Sequence, residues 1–173
     1  MHITIREALP RELDAAGALT ATAYQDEALA EPTYLPRLRD AAARHAAGGA
    51  WQLVAVDADG TVVGAAVYTV AGSAFADIAR DSEAELRMLA TAKTARGRGI
   101  GQALVQHCLH RARAEGRAAL VLSTKPEMAA AQRLYARLGF ERIPERDWEY
   151  APGKALLTFR LALPGPPSLP GRD

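Results

Sequence analysis

The sequence predicts an α/β (α+β) domain built around one mixed β-sheet. Three observations support this. The chain has 173 residues, enough for one domain with a sizeable core. Its strand and helix signals run as strand, two helices and an antiparallel hairpin, then strand–helix–strand–helix–strand. A glycine-rich turn sits at the junction of a strand and a helix in the second half. No internal repeat or second boundary interrupts this order, so residues 1–163 are read as one domain. Residues 164–173, rich in Pro and Gly, are read as a disordered tail.

Residues 2–6 alternate apolar and polar, as a strand does. Pro10 suits a helix start, and that helix is expected to run to about Tyr24. Pro32 and Pro36 punctuate the next segment, and an Ala-rich helix over 35–47 stops at Gly48-Gly49. Residues 51–56 and 61–70 form a hairpin across Asp57-Ala58-Asp59-Gly60. The small, polar stretch 71–82 reads as a loop, and 83–91 as a strand. A helix over 99–115 ends at Gly116. The apolar run 118–123 reads as a buried strand. Pro126 opens a helix through Leu138, closed by Gly139, and 140–143 and 156–163 read as the last strands.

The bulk composition excludes several functions. Lys and Arg number 21 against 20 Asp and Glu, so nothing points to nucleic acid or an anionic membrane as partner. The single cysteine, Cys108, permits no intrachain disulfide. Residues 1–7 do not read as a signal peptide, and no apolar run approaches the roughly 20 residues of a membrane span. A cytoplasmic location is the expectation. His2, His45, His107 and His110 are not spaced as metal ligands, so no metal is expected.

The chemistry concentrates in Arg96-Gly97-Arg98-Gly99-Ile100-Gly101. Glycines let a ligand approach the backbone, and first-turn amides of the following helix point outward unpaired. The helix dipole favours negative charge there, and two arginines add forked donors suited to phosphate. Two phosphate-binding loops are excluded by spacing. No Gly-x-x-x-x-Gly-Lys-Ser/Thr run occurs. Gly97, Gly99 and Gly101 alternate instead of following Gly-x-Gly-x-x-Gly, and they come after an antiparallel meander.

The same six residues fit the Arg/Gln-x-x-Gly-x-Gly/Ala pattern of the GNAT superfamily of N-acetyltransferases. Downstream, Ala131-Gln132-Arg133-Leu134-Tyr135-Ala136-Arg137-Leu138-Gly139-Phe140 resembles that family's Ala-x-x-Leu-Tyr-x-x-x-Gly-Phe helix ending. The resemblance covers most of residues 2–163 and is specific from about Glu83 to Phe140. It implies a mostly antiparallel mixed sheet of about seven strands flanked by about four helices. It also implies acetyl-CoA as co-substrate and acetyl transfer to a primary amine by direct attack in a ternary complex, with a small molecule favoured over a protein as acceptor. A non-catalytic acyl-CoA-binding or regulatory module on the same fold is the alternative.

The resemblance assigns roles to residues. The backbone of Met88, Leu89 and Thr91 would bind the pantetheine arm as a neighbouring strand would. Arg96, Gly97, Arg98, Gly99, Ile100, Gly101 and Gln102 would hold the pyrophosphate. Tyr135 would protonate the departing thiolate, since a phenol is protonated at neutral pH. Its other reading is a core tyrosine beside Ala131, Leu134 and Leu138. Glu85 is the candidate general base, with Glu83 second. Alternation puts Arg87 and Leu89 on the face of Glu85, so an Arg87–Glu85 ion pair is the competing reading. Where the family often carries asparagine, this chain has Met128. Ser123 and Thr124 would replace that amide or cap the next helix, the cap being preferred. Cys108 reads as a buried, inert thiol. Arg111, Arg113 and Arg117 read as a solvated face. Trp148 and Tyr150 either wall the acceptor pocket or pack on the sheet edge. Asp26, Glu27, Glu31, Asp77, Asp81, Asp147 and Glu149 lie in the segments that build family acceptor sites, a slight pull toward a cationic amine. A homodimer through the C-terminal strands stays open.

Overall fold

The computed structural model describes residues 2–165; the expected tail falls almost wholly on 166–173, outside the described residues. Eight strands are described: β1 (Thr4–Glu7), β2 (Ala50–Val56), β3 (Val62–Val70), β4 (Glu83–Thr91), β5 (Ala119–Thr124), β6 (Glu141–Arg142), β7 (Trp148–Ala151) and β8 (Lys154–Ala162). The α-helices are α1 (Leu13–Asp26), α2 (Leu35–Arg39), α3 (Ala41–Ala46), α4 (Ile100–Ala114) and α5 (Ala129–Arg137). The sheet order is β1-β2-β3-β4-β5-β8-β6, with β7 paired to β8. Among the described strands only β4 and β5 are parallel; every other pairing is antiparallel.

Three elements differ from the sequence expectation. The Ala-rich helix breaks at Asp40, whose carboxylate caps α3 by accepting from the Ala43 amide at 2.9 Å. The break is held by a fully buried Arg44. Its guanidinium donates to the carbonyls of Arg37 (2.7 Å) and Leu38 (2.8 Å) and to the side chain of Gln52 (2.9 Å). That satisfies α2's terminal carbonyls, and burial lowers the Arg44 pKa to about 10. Next, the sequence reading places no strand between 143 and 156, but Trp148–Ala151 forms β7, turning through Pro152-Gly153 into β8. Finally, α5 starts three residues late; 126–128 is a turn, and neither Ser123 nor Thr124 caps the helix. The Ser123 hydroxyl accepts from Trp148 Nε1 instead (3.2 Å), and the buried Thr124 hydroxyl has no partner among the described residues.

Apolar clusters cover both sheet faces. Leu86, Leu120 and Leu122 pack with α4, Tyr135, Phe140 and Phe159 on one side. Val54, Val56 and Val67 pack with α1, α2 and α3 on the other. Gly64 sets the approach of α4: a Cβ there would lie 2.7 Å from Ile100 Cγ2.

Two irregularities in β4 shape the cavity beside it. The β3–β4 register slips between Ala65 and Val67, and Met88 takes a left-handed φ of 52°, a β-bulge. The extra residue inverts the alternation. Met88 packs on the α1/α2 face with Ala21 and Leu38, and Leu89 packs on the α4 face with Leu86. Leu89 therefore does not share the face of Glu85, contrary to simple alternation. The second irregularity is that β4 pairs with β5 only over Glu83–Glu85 and Ala119–Val121, and the strands part beyond.

Candidate active site

The gap between β4 and β5 opens into a cavity of about 1080 Å³. Leu86 to Thr91 form one wall, the glycine-rich turn and first turn of α4 one end, and Met128, Leu134 and Tyr135 the α5 side. Tyr24, Tyr34 and Arg37 close it from α1 and α2, and Trp148, Tyr150 and Leu156 from the β7–β8 hairpin. Glu85 and Tyr135 line it together with Met88, Leu89, Thr91, Arg96, Gly97, Gly99, Ile100, Gly101 and Gln102. Arg98 sits in the same turn but outside the lining.

The turn is shaped for an anion. Gly97 and Gly99 both have φ of 74°, and Gly99 is the N-cap of α4. An added Cβ at either would meet nothing within 4 Å, so backbone conformation, not space, is what glycine supplies. The first turn of the 15-residue α4 lines the cavity end, which sets the positive end of its helix dipole there. The Arg96 guanidinium is 2.7 Å from Glu27 at the end of α1, bridging the mouth.

Tyr135 is 4% exposed, its ring against Phe140 (centroids 5.6 Å apart) and Phe159 (6.2 Å). Burial raises its pKa, so the phenol stays protonated at neutral pH. Its hydroxyl makes no hydrogen bond among the described residues. Tyr24 faces the same cavity, and burial raises its pKa to about 12.

Glu85 is 1% exposed. Its Oε2 accepts from the amides of Asp77 (2.9 Å), Ile78 (3.0 Å) and Ala79 (3.0 Å), which fastens the 71–82 loop to β4. Burial dominates and raises its pKa above the usual carboxylate range, against the lowering by those amides and Arg87. The expected Arg87–Glu85 pair is loose, at 3.9 Å through Oε1. Arg87 binds Asp77 (2.7 Å), the Phe75 carbonyl (2.7 Å) and the Tyr34 hydroxyl (3.1 Å) instead. Glu83 lies outside the cavity lining, held by Arg146 (2.9 Å) and Arg160 (3.1 Å).

Other expectations resolve similarly. Trp148 and Tyr150 line the cavity and do not merely pack on the sheet edge. Met128 lines it where the resemblance expects asparagine. Arg111 is no solvated residue: it lies over Trp51 (4.2 Å) and Tyr68 (4.9 Å) and pairs with Glu7 and Glu115. Cys108 is buried, its pKa raised to about 12. No metal-binding cluster of His, Cys, Asp or Glu and no membrane-length apolar helix occur among the described residues. Sequence reasoning missed Tyr24, Tyr34, Arg37 and Lys125 as cavity residues. They come from separate elements, and only packing brings them together.

Comparison with known proteins bears on the fold and the family. A search of the curated proteins returns no significant match. Solved structures of similar fold include the PaiA N-acetyltransferase of Thermoplasma acidophilum in complex with coenzyme A. It is 15% identical, with a TM-score of 0.70 over 94% of this chain and 100% of that one. A GNAT family acetyltransferase of Brucella melitensis in complex with acetyl-CoA is 22% identical, with a TM-score of 0.64 over 99% and 94%. The ribosomal-protein-S18-alanine N-acetyltransferase of Escherichia coli is 20% identical, with a TM-score of 0.71 over 98% and 100%. The family model described as acetyltransferase (GNAT) family matches residues 14–140, which span the splayed strands, the glycine-rich turn and the Tyr135 helix, and the chain belongs to that family.

Proposed function

We propose that this chain transfers an acetyl group from acetyl-CoA to the primary amine of a small molecule. The observation that carries the reading is one continuous cavity. It joins the anion-shaped turn to the unpaired stretch of β4, and then to Tyr135 and Glu85. The coenzyme A and acetyl-CoA complexes of the two similar structures support the donor.

In this reading the turn from Arg96 to Gln102, Arg98 included, holds the pyrophosphate. The β4 backbone at Met88, Leu89 and Thr91 pairs with the amide-like pantetheine arm. The amine nitrogen attacks the thioester carbonyl, so a C–N bond forms and the C–S bond breaks. A β4 amide stabilises the oxyanion. The sulfur leaves with the bonding pair and takes the Tyr135 proton, and Glu85 accepts the surplus amine proton through Oε1, the oxygen its loop amides leave open. The raised Glu85 pKa suits this task, provided the pH is above it.

Thermal denaturation with acetyl-CoA tests the donor. At one hundred times Kd a specific ligand adds about 2.7 kcal/mol, a rise of about 5–10 °C for a domain of this size. No rise at saturating acetyl-CoA would sink the reading.

A further inference from the structure

The acceptor half of the cavity carries a charge pattern opposite to the one its acidic residues suggest. Each carboxylate in the lining is already engaged within the protein. Glu27 pairs with Arg96, Asp77 with Arg87, and Glu31 with Lys154. Glu85 spends one oxygen on three backbone amides. Asp26, Asp81, Asp147 and Glu149 lie outside the lining, and Asp147 is bound to Arg142. A cationic acceptor would have to compete with an arginine or lysine for nearly every one of them.

Three cations in the lining, Arg37, Lys125 and Arg137, have no such partner among the described residues, and two of them are held on aromatic rings. The Arg37 guanidinium is 5.1 Å from the Phe75 centroid, and the Lys125 ammonium 5.2 Å from that of Tyr150. Stacking fixes a cation in place without neutralising it. Lys125 also stands close enough to Glu31 to lower that carboxylate's pKa, but Glu31 is bonded to Lys154, so this edge keeps an excess of positive charge. Beside Lys125, Trp148, Tyr150 and Leu156 present apolar surface to the cavity.

Resting on the acetyl-transfer reading, we infer that the acceptor is a small amine that also carries a carboxylate, an amino acid with an apolar side chain. Lys125 and Arg37 recognise the carboxylate, and the Trp148–Tyr150 wall takes the apolar part. A partly enclosed ionic contact discriminates strongly, because water competes poorly there. An amine lacking the carboxylate leaves both cations without their counter-ion.

The test uses matched acceptors that differ only in the carboxylate: phenylalanine against phenethylamine, and leucine against isoamylamine, with spermidine as a polycation. Coenzyme A release is measured for the whole chain and for Lys125→Gln and Arg37→Gln, and thermal denaturation with acetyl-CoA is run on each. The expected result is a kcat/KM at least about tenfold higher for the amino acid of each pair. That ratio falls about 10- to 100-fold in the variants, as loss of a charged hydrogen bond implies. Lys125→Arg restores part of it. Preference for spermidine or for the decarboxylated amines overturns the inference. So does an unchanged ratio in both variants, or an acetyl-CoA-dependent rise in Tm without turnover of either member of a pair. Absence of any Tm rise with acetyl-CoA strikes the donor reading itself, a separate failure.

Discussion

Replacing Glu85 by Gln separates two roles that the structure gives one side chain. Oε2 anchors the 71–82 loop through three amides at 2.9–3.0 Å, and Oε1 takes none of those bonds. A glutamine carbonyl can accept the same three bonds. Losing the charge weakens each by about 1 kcal/mol, the difference between charged and neutral acceptors. Removing a buried charge works the other way. The raised pKa shows that burial outweighs the amides, so at neutral pH the ionised carboxylate is held less comfortably than in water. The folded pKa lies above the unfolded one. The stability this group contributes is therefore present below its ordinary value of 4.5 and lost as pH rises through the raised one. These opposing effects leave Glu85→Gln within about 1–2 kcal/mol of the parent at pH 7, or about 2–8 °C in Tm. A base cannot be replaced by an amide, so kcat should fall about 10²- to 10⁴-fold. Parent kcat/KM should also climb with pH to a plateau beginning above the usual carboxylate range. The assay is thiol release across pH, paired with thermal denaturation. A variant with kcat within threefold of the parent would refute the base role and leave Glu85 as a loop anchor.

Tyr135→Phe keeps the ring packing on Phe140 and Phe159 and loses a hydroxyl without a hydrogen bond, so Tm should move by less than about 3 °C. Stopped-time coenzyme A release should show kcat down about 10²-fold with acetyl-CoA binding kept; an unchanged kcat would make Tyr135 a core residue only. Gly64→Ala places a methyl 2.7 Å from Ile100 Cγ2, so it should destabilise by about 1–3 kcal/mol and shift the first turn of α4. Titration calorimetry should then read weaker acetyl-CoA binding, and unaltered affinity would uncouple this packing from the turn. Glu12 has its pKa lowered to about 2 by Arg6, 2.7 Å from both oxygens, and by the Leu9 amide. Its stabilisation is present above about 4.5 and lost as pH falls toward 2. Urea melts of Glu12→Gln should therefore lie about 1–2 kcal/mol below the parent at pH 7 and converge with it near pH 2. Parallel curves would exclude that role.

How much of the molecule is legible in its sequence depends on where the information is stored. The glycine-rich turn and the Tyr135 helix are local: each needs particular residues at fixed offsets, and both line the cavity. The β7–β8 hairpin is equally local, since Pro152-Gly153 is a turn signal and β8 is read from the sequence over 156–163, but β7 has only four residues and period-two patterning misses it. The β4 bulge is different in kind. Nothing in Glu85-Leu86-Arg87-Met88-Leu89 marks where the extra residue falls, because alternation is satisfied on either side of it. Only pairing with β3 forces Met88 to φ 52° and sends Leu89 to the opposite face from Glu85. The charge of the acceptor half is also non-local. Glu27, Glu31 and Asp77 read as free acids until the glycine-rich turn, β4 and β8 bring Arg96, Arg87 and Lys154 onto them. A count of acids along the chain therefore points to a cationic acceptor, and the folded pairing reverses the sign. For this site, the electrostatic evidence lies in which charges are left unpaired after folding, and among the cavity cations in that position Arg37 and Lys125 are the two held on aromatic rings.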